Sequence, residues 1–253
     1  MTRTRLASLS LALLLPLAVG CVKYPSHWDR EAQGDDPFEN QNRAVFQFNE
    51  SLDDYVLDPV AHGWQFITWE GLREAVQNVF VNFAFPRRFV ANLGQGKGEA
   101  AMNELGRFLL NSTVGIGGLF DPATHVGFPL HNEDFGQMFG AWGIGTGPYW
   151  VLPFFGPSNP RDAVGLVFDL AFDLRTIASA TPIGTLAWTG AIQNVNRRAL
   201  VDEDIDLARD AALDLYVFSR DAYGQRRDAA IANRDFGADV PEEIHDSLYE
   251  FDD

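Results

Sequence analysis

The chain has 253 residues, enough for one large domain or two small ones, and its 46% hydrophobic and 21% charged content excludes wholesale disorder. Nineteen basic against 35 acidic residues give a net charge of −16, which excludes nucleic acid and anionic surfaces as favourable partners. Twenty Phe against six Tyr and six Trp bias the aromatics toward rings without a polar handle, suited to a dry core and equally to a surface facing lipid.

Residues 1–20 read as a lipoprotein signal peptide: Arg3 and Arg5 give a basic start, an apolar run covers 6–15, and small residues follow. The run ends at "LAVGC", which resembles a bacterial lipobox with Cys21 as the lipidated first mature residue. An uncleaved membrane helix needs ~20 apolar residues, and this run is too short. Val22 follows, where Asp would signal retention at the inner membrane, so the outer membrane is the expected location. Cys21 is the only cysteine, which excludes an intramolecular disulfide. Loss of Arg3 and Arg5 with the signal leaves 17 basic against 35 acidic residues, a net of −18.

Residues 21–35 read as a polar tether. From Asp36 the recurrence of Phe38, Val45, Phe48, Leu52 and Val56 predicts a helix, with Pro37 in its first turn. A second helix is predicted over 71–93, with Leu72, Val76, Val79, Phe80 and Phe83 on one stripe and a kink or end at Pro86. "LGQGKGEA" is a connector, and a third helix spans 101–110. Glycine and proline then make the middle irregular through about residue 156. Helices over 160–178 and 183–200 are divided at Thr181-Pro182. The longest helix is expected over 203–232, with Ile205, Ala208, Ala212, Leu215, Ser219 and Ala222 on one seam; 234–253 is an acidic tail. No segment alternates long enough to predict a strand, and past the signal no apolar run reaches 18 residues. The fold class is mainly α with an irregular Gly/Pro/aromatic-rich middle.

Catalytic and ligand motifs fail on their spacing. "GQGKG" (94–98) has Ala91 and Gly98 where a phosphate-binding loop needs Gly and Ser or Thr. "GPSNP" (156–160) carries Pro160 where a serine elbow needs Gly, and Ser158 reads as a helix cap. Asp202, Asp204 and Asp206 open like a calcium loop, but Leu207 and Leu213 occupy its Gly and Glu positions. "HNED" (131–134) with His125 matches no standard metal spacing and reads as a hydrogen-bonded loop. No catalytic residue, metal site, cofactor or nucleotide motif is expected. "GIGTGPYW" (143–150) lacks a lysine and does not lead straight into a helix, so it cradles no phosphate. Its glycines let the backbone turn, and Tyr149, Trp150, Phe154 and Phe155 follow as either a buried loop or a surface inserted among acyl chains.

Four blocks resemble one family. "DPFENQNRAVFQFN" (36–49), "RFLLNSTVGIGGLFDPA" (107–123), "GIGTGPYWVLPFFGPSNPRD" (143–162) and "LDLYVFSRDAYGQRRD" (213–228) are similar to the ordered motifs of the MlaA (VacJ) outer-membrane lipoproteins, and span residues 36–233. The chain departs from the pattern at Glu39-Asn40-Gln41, where a glycine-aromatic step usually precedes Asn42-Arg43. The resemblance implies a ring-like helical domain lying within the outer membrane, pierced by a central amphipathic channel. It implies that mislocalised phospholipid leaves the outer leaflet through that channel and passes to a periplasmic shuttle feeding an inner-membrane complex, with a trimeric porin as partner. A structural envelope lipoprotein that moves no lipid is the alternative, and a phospholipase the third.

Extraction of two acyl chains into water, ~30 CH₂ groups at ~0.8 kcal/mol each, costs on the order of 24 kcal/mol. A sheltered path removes most of that barrier without a nucleophile or proton transfer. The channel wall and rim are therefore expected at Gly115, Gly117, Gly118, Gly143, Gly145 and Gly147, with Trp142, Tyr149 and Trp150 at the headgroup level. Asn42, Arg43, Phe46 and Asn49 are expected to line or gate the polar lane, or else to cap and join helices.

Overall fold

The computed structural model describes residues 36–179 and 181–233. The signal, Cys21, the tether and the acidic tail lie outside the described residues. Helix α1 (Glu39–Leu52) begins just after Pro37, passes through a π-helical turn (Asp53–Leu57) and continues as α2 (Asp58–Ile67). The helix expected from Asp36 thus starts later and runs past Val56. Helices α3 (Glu70–Phe83) and α4 (Phe85–Gly94) divide the stretch predicted over 71–93 at Ala84, beside the break expected at Pro86. Pro86 opens the second of them, where its missing N–H costs nothing. Helix α5 (Gly98–Thr113) extends the third predicted helix at both ends and packs along α4.

The glycines after α5 wrap its end. Gly117 and Gly118 N–H donate to the Ser112 and Asn111 carbonyls at 3.0 and 2.8 Å, with both glycines at positive φ. Two short helices, α6 (Pro122–His125) and α7 (Phe135–Ala141), interrupt the middle that glycine and proline predict to be irregular. Asp121 and Asp134 cap them through their side chains.

The described residues also hold a strand pair that periodicity did not predict. β1 (Trp150–Leu152) and β2 (Gly156–Ser158) form an antiparallel hairpin with Val151 opposite Pro157. Three residues per strand are too few to show alternation. Helix α8 (Pro160–Ala171) is capped by Asn159, whose side chain accepts from the Asp162 N–H, rather than by Ser158, which is buried in β2. After α9 (Leu174–Ile177), helix α10 (Pro182–Leu200) packs on α2 and α3 and is the longest described helix.

The long helix expected over 203–232 is two helices, α11 (Asp202–Ala211) and α12 (Leu215–Ile231). Ala212 turns extended, Leu213 stands fully exposed, and the Asp214 carboxylate accepts from the Val217 N–H to start α12. A new cap outcompeted a continuous apolar seam.

Burial runs against the usual order. Among the described residues nineteen polar or charged residues are buried against thirteen apolar ones, while thirty-one large apolar side chains are exposed. Much of the polar interior is paired internally, although Asn92 Oδ1 and Thr146 Oγ1 are buried without a hydrogen-bond partner. Arg88 donates to Glu104 at 2.5 Å, Arg107 pairs with Asp121 at 2.6 Å, and Asn196 accepts from the Trp64 indole at 3.0 Å. Two small apolar cores remain: Tyr149, Val151, Tyr216 and Tyr223 beside the hairpin, and Ala91, Phe135 and Met138 between α4 and α7. No described helix is long and apolar enough to cross a membrane.

Candidate functional site: an amphipathic cavity

A cavity of about 990 Å³ opens between α1, the hairpin tip and the α11–α12 corner. That size lies at the top of the ~300–1,000 Å³ range of ligand pockets. Phe46, Leu52 and Leu57 of the first rod, Phe154 and Phe155 of the hairpin, and Ile205, Leu215 and Phe218 supply its apolar wall. Asn49, Glu50, Asp53, Arg197, Asp204, Arg209 and Arg226 supply the polar one. Ile205, Ala208, Leu215, Ser219 and Ala222 of the predicted seam all face this space, so the break in the helix bends the seam around a hollow.

Part of the polar wall is tied down. Arg209 contacts Glu50, Asp53 and Asp54 at 3.2, 3.0 and 3.1 Å, and Arg198 holds Asp53 at 3.1 Å and Asp58 at 2.7 Å and also binds Asp202. Burial raises the Glu50 pKa, and Arg209 pulls it back. Asp58, His62 and Asp202 come within 4.8 Å of one another in a metal-like grouping. Arg198 already binds both carboxylates, so the group is an ion-pair network on the described surface.

A second, smaller cavity of about 180 Å³ shares Phe155, Pro157, Tyr223 and Arg226 with the first. It is ringed by Asp134, Asp162, Asp169 and Arg227. Arg227 binds Asp134 at 2.5 Å and Asp162 at 2.8 Å. Burial pushes the Asp169 carboxyl up to about 6, opposed by Arg87 and reinforced by Asp134.

The residues singled out in the sequence divide into three sets. Phe46 and Asn49 line the large cavity. Asn42 and Arg43 sit beside it in a joint: the Asn42 amide donates to the Tyr149 carbonyl at 2.9 Å and to Asp36 at 3.1 Å, and accepts from the Val151 N–H at 3.0 Å. Asn49, seven residues on, donates to the Leu152 carbonyl at 3.0 Å and accepts from the Phe154 N–H at 2.9 Å. The two amides serve as the missing neighbour of the β1 edge. Arg43 lies over the Tyr216 ring at 4.4 Å and binds Glu39 and Asp214 at 2.7 and 2.8 Å.

The third set lies off the cavity. Gly115, Gly117 and Gly118 close the end of α5; a Cβ on Gly118 would meet Asn82 Cβ at 2.8 Å. Gly143 and Gly147 hold φ of 83° and 74° in the loop after α7, with half-buried Gly145 between them. Trp142 is exposed and its indole donates to the Gly94 carbonyl at 2.7 Å. Tyr149 is 1% exposed: its ring packs among Tyr216, Tyr223 and Val151 rather than at a surface. Trp150 is half-buried in β1, and only Phe154 and Phe155 of that aromatic block are widely exposed, at 67% and 60%. The "HNED" loop is bound within the fold: the His131 N–H donates to Glu104 at 2.7 Å, and Glu133 accepts from Lys97 at 2.7 Å.

Sequence reasoning missed Glu50, Arg197, Arg209, Phe218 and Arg226. The late block "LDLYVFSRDAYGQRRD" held the signal for two of them, since Phe218, Ser219, Ala222, Tyr223 and Arg226 lie within it and line the cavity.

Comparison with known proteins converges on one family. The family model of the MlaA lipoprotein matches residues 34–230. The intermembrane phospholipid transport system lipoprotein MlaA of Escherichia coli (strain K12) is 33% identical over 225 residues, covering 87% of this chain and 86% of the relative. A protein of Rickettsia prowazekii (strain Madrid E) is 34% identical over 197 residues, 78% of each chain. A structure solved in work on the structural basis for maintenance of bacterial outer membrane lipid asymmetry superposes with a TM-score of 0.66 at 30% identity, over 78% of this chain and 99% of that one. This helical chain, with its inverted burial and its amphipathic cavity, belongs to the MlaA lipoprotein family.

Proposed function

We propose that this protein is an outer-membrane lipoprotein that removes mislocalised phospholipid from the outer leaflet through the amphipathic cavity and passes it to a periplasmic shuttle protein, so maintaining lipid asymmetry. Cys21 carries the lipid anchor, and a trimeric porin is the membrane partner. The observation that supports this reading best is the cavity itself, with one apolar and one charged wall in a chain whose large apolar side chains point outward. Apolar surface exposed on that scale is matched by lipid tails rather than by water. A cavity with both wall types suits a molecule with tails and a charged head. The rim glycines and the Trp142 and Trp150 rings belong to the same proposal, with Asn42, Arg43 and Asn49 holding the hairpin that shapes one wall.

Reconstitution tests it. The full-length protein is placed in vesicles bearing chain-labelled phospholipid, and a soluble lipid-binding acceptor is added. Intact labelled lipid recovered on the acceptor supports transfer; released fatty acid identifies hydrolysis, and neither outcome above the protein-free rate identifies a scaffold.

A further inference from the structure

Three carboxylates and three guanidiniums line the large cavity, but they are unevenly paired. Glu50 and Asp53 are bound by Arg209, and Asp53 also by Arg198. Arg197 on α10 and Arg226 on α12 line the same cavity, and neither side chain makes a hydrogen bond or ion pair with a described residue. Asp204 is the one lining carboxylate without such a partner, so the unpaired set carries an excess of positive charge in a chain of net charge −16. Two guanidiniums held in one hollow repel each other. The Arg226 pKa is lowered by burial and by Arg197 and Arg227, although its head still meets the cavity water. Both arginines are exposed to solvent, and with Phe154, Phe155, Leu215 and Phe218 around them they offer free guanidinium donors beside hydrocarbon, an arrangement complementary to an anion attached to an acyl chain.

We infer that Arg197 and Arg226 together seat the phosphate of a glycerophospholipid whose acyl chain lies along the phenylalanine wall of the same cavity. The inference rests on the transport reading and adds to it a place for the head. Guanidinium forks match phosphate oxygens, and each charge-assisted bond is stronger where protein limits water. The free headgroup phosphodiester and inorganic phosphate offer the same oxygens; the attached chain is what the neighbouring wall selects.

The test uses lipid-depleted full-length protein in detergent, titrated with phosphatidylglycerol and with diacylglycerol carrying the same labelled chains. The expected result is binding of phosphatidylglycerol about tenfold tighter than diacylglycerol, a preference that R197Q/R226Q erases to within about twofold while diacylglycerol binding holds. R197K/R226K, which keeps the charge but not the fork, is expected to retain part of the preference, and it serves as the reading if the glutamine pair fails to fold. An undiminished preference in both variants overturns the inference and leaves transport standing. Equal binding of the two lipids by the unmodified protein overturns it as well. Displacement of phosphatidylglycerol by millimolar inorganic phosphate would assign the pair to free phosphate instead. Uptake of neither lipid by the unmodified protein sinks the transport reading along with the seat.

Discussion

Gly136 and Gly165 bring α7 and α8 together backbone to backbone: a Cβ on Gly165 would lie 2.7 Å from the Gly136 Cα and closer still to its nitrogen. Neither atom can move without shifting a helix. Gly165→Ala is therefore expected to destabilise the fold by about 3 kcal/mol, read as a fall in thermal midpoint. Gly143→Ala meets open space and bears only the strain of φ 83°, about 1 kcal/mol. Equal losses from the two substitutions would contradict the close crossing.

Arg88 and Glu104 form an ion pair in which both side chains are almost wholly buried. Burial lowers the Arg88 pKa, and Glu104 opposes the shift. Arg88→Met should cost about 3–5 kcal/mol because it strands a carboxylate in the interior. R88M/E104L should recover much of that loss, since the buried charge leaves with its partner. Denaturant melts of the two variants check the order.

Asp169 gives a signed pH effect. Its folded pKa of about 6 lies above the ordinary 3.8, so the folded state holds a proton that the unfolded chain has released. Stability from this group is present below about pH 4 and is lost as pH rises through about 6. Asp169→Asn keeps an acceptor for the Phe135 N–H, now bonded at 3.0 Å, and removes the charge. The variant should be stabilised at pH 7 relative to the native chain, by about 2 kcal/mol, with little difference at pH 4. Urea midpoints at the two pH values decide it.

Phe154 separates stability from lipid contact. It holds φ 68°, which L side chains resist, yet its ring is 67% exposed and meets Phe48 edge-on at 5.5 Å. In Phe154→Gly the relief of strain offsets the lost ring contact, and stability should change by less than about 1 kcal/mol. Binding to vesicles should nevertheless fall at least several-fold, because burying one Phe contributes ~2 kcal/mol. Cosedimentation with vesicles, beside a thermal melt, gives both readings.

The helices were legible because their apolar spacing survives even where the stripe faces outward. Pro86 and Pro182 marked real boundaries, each sitting in the first turn of a helix. The hairpin was not legible, since its strands rest on Asn42 and Asn49 side chains from a distant helix rather than on local alternation. Nor was the break before α12: the seam ran on through Ala212, and Asp214 gave the only warning. Inverted burial hid most of the site. Arg107 and Asn111 have the spacing of a solvated face, but they lie inside and bind Asp121. Arg197 and Arg226 lie on separate helices, and nothing along the chain joins them.

The π-helical turn at Asp53–Leu57 inserts one residue into the hydrogen-bond ladder of the first rod. Each residue of an α-helix advances the azimuth by ~100°, so the two halves of this rod are re-phased at that point. This lets Phe46, Asn49 and Glu50 look into the cavity while Trp64 and Gln65 reach the opposite partner, α10 and the start of α11. Shortening the turn by a single residue would restore regular winding and aim one of those faces at the wrong neighbour. The length of this segment acts as an angular setting, and substitutions within it should be borne far better than deletions.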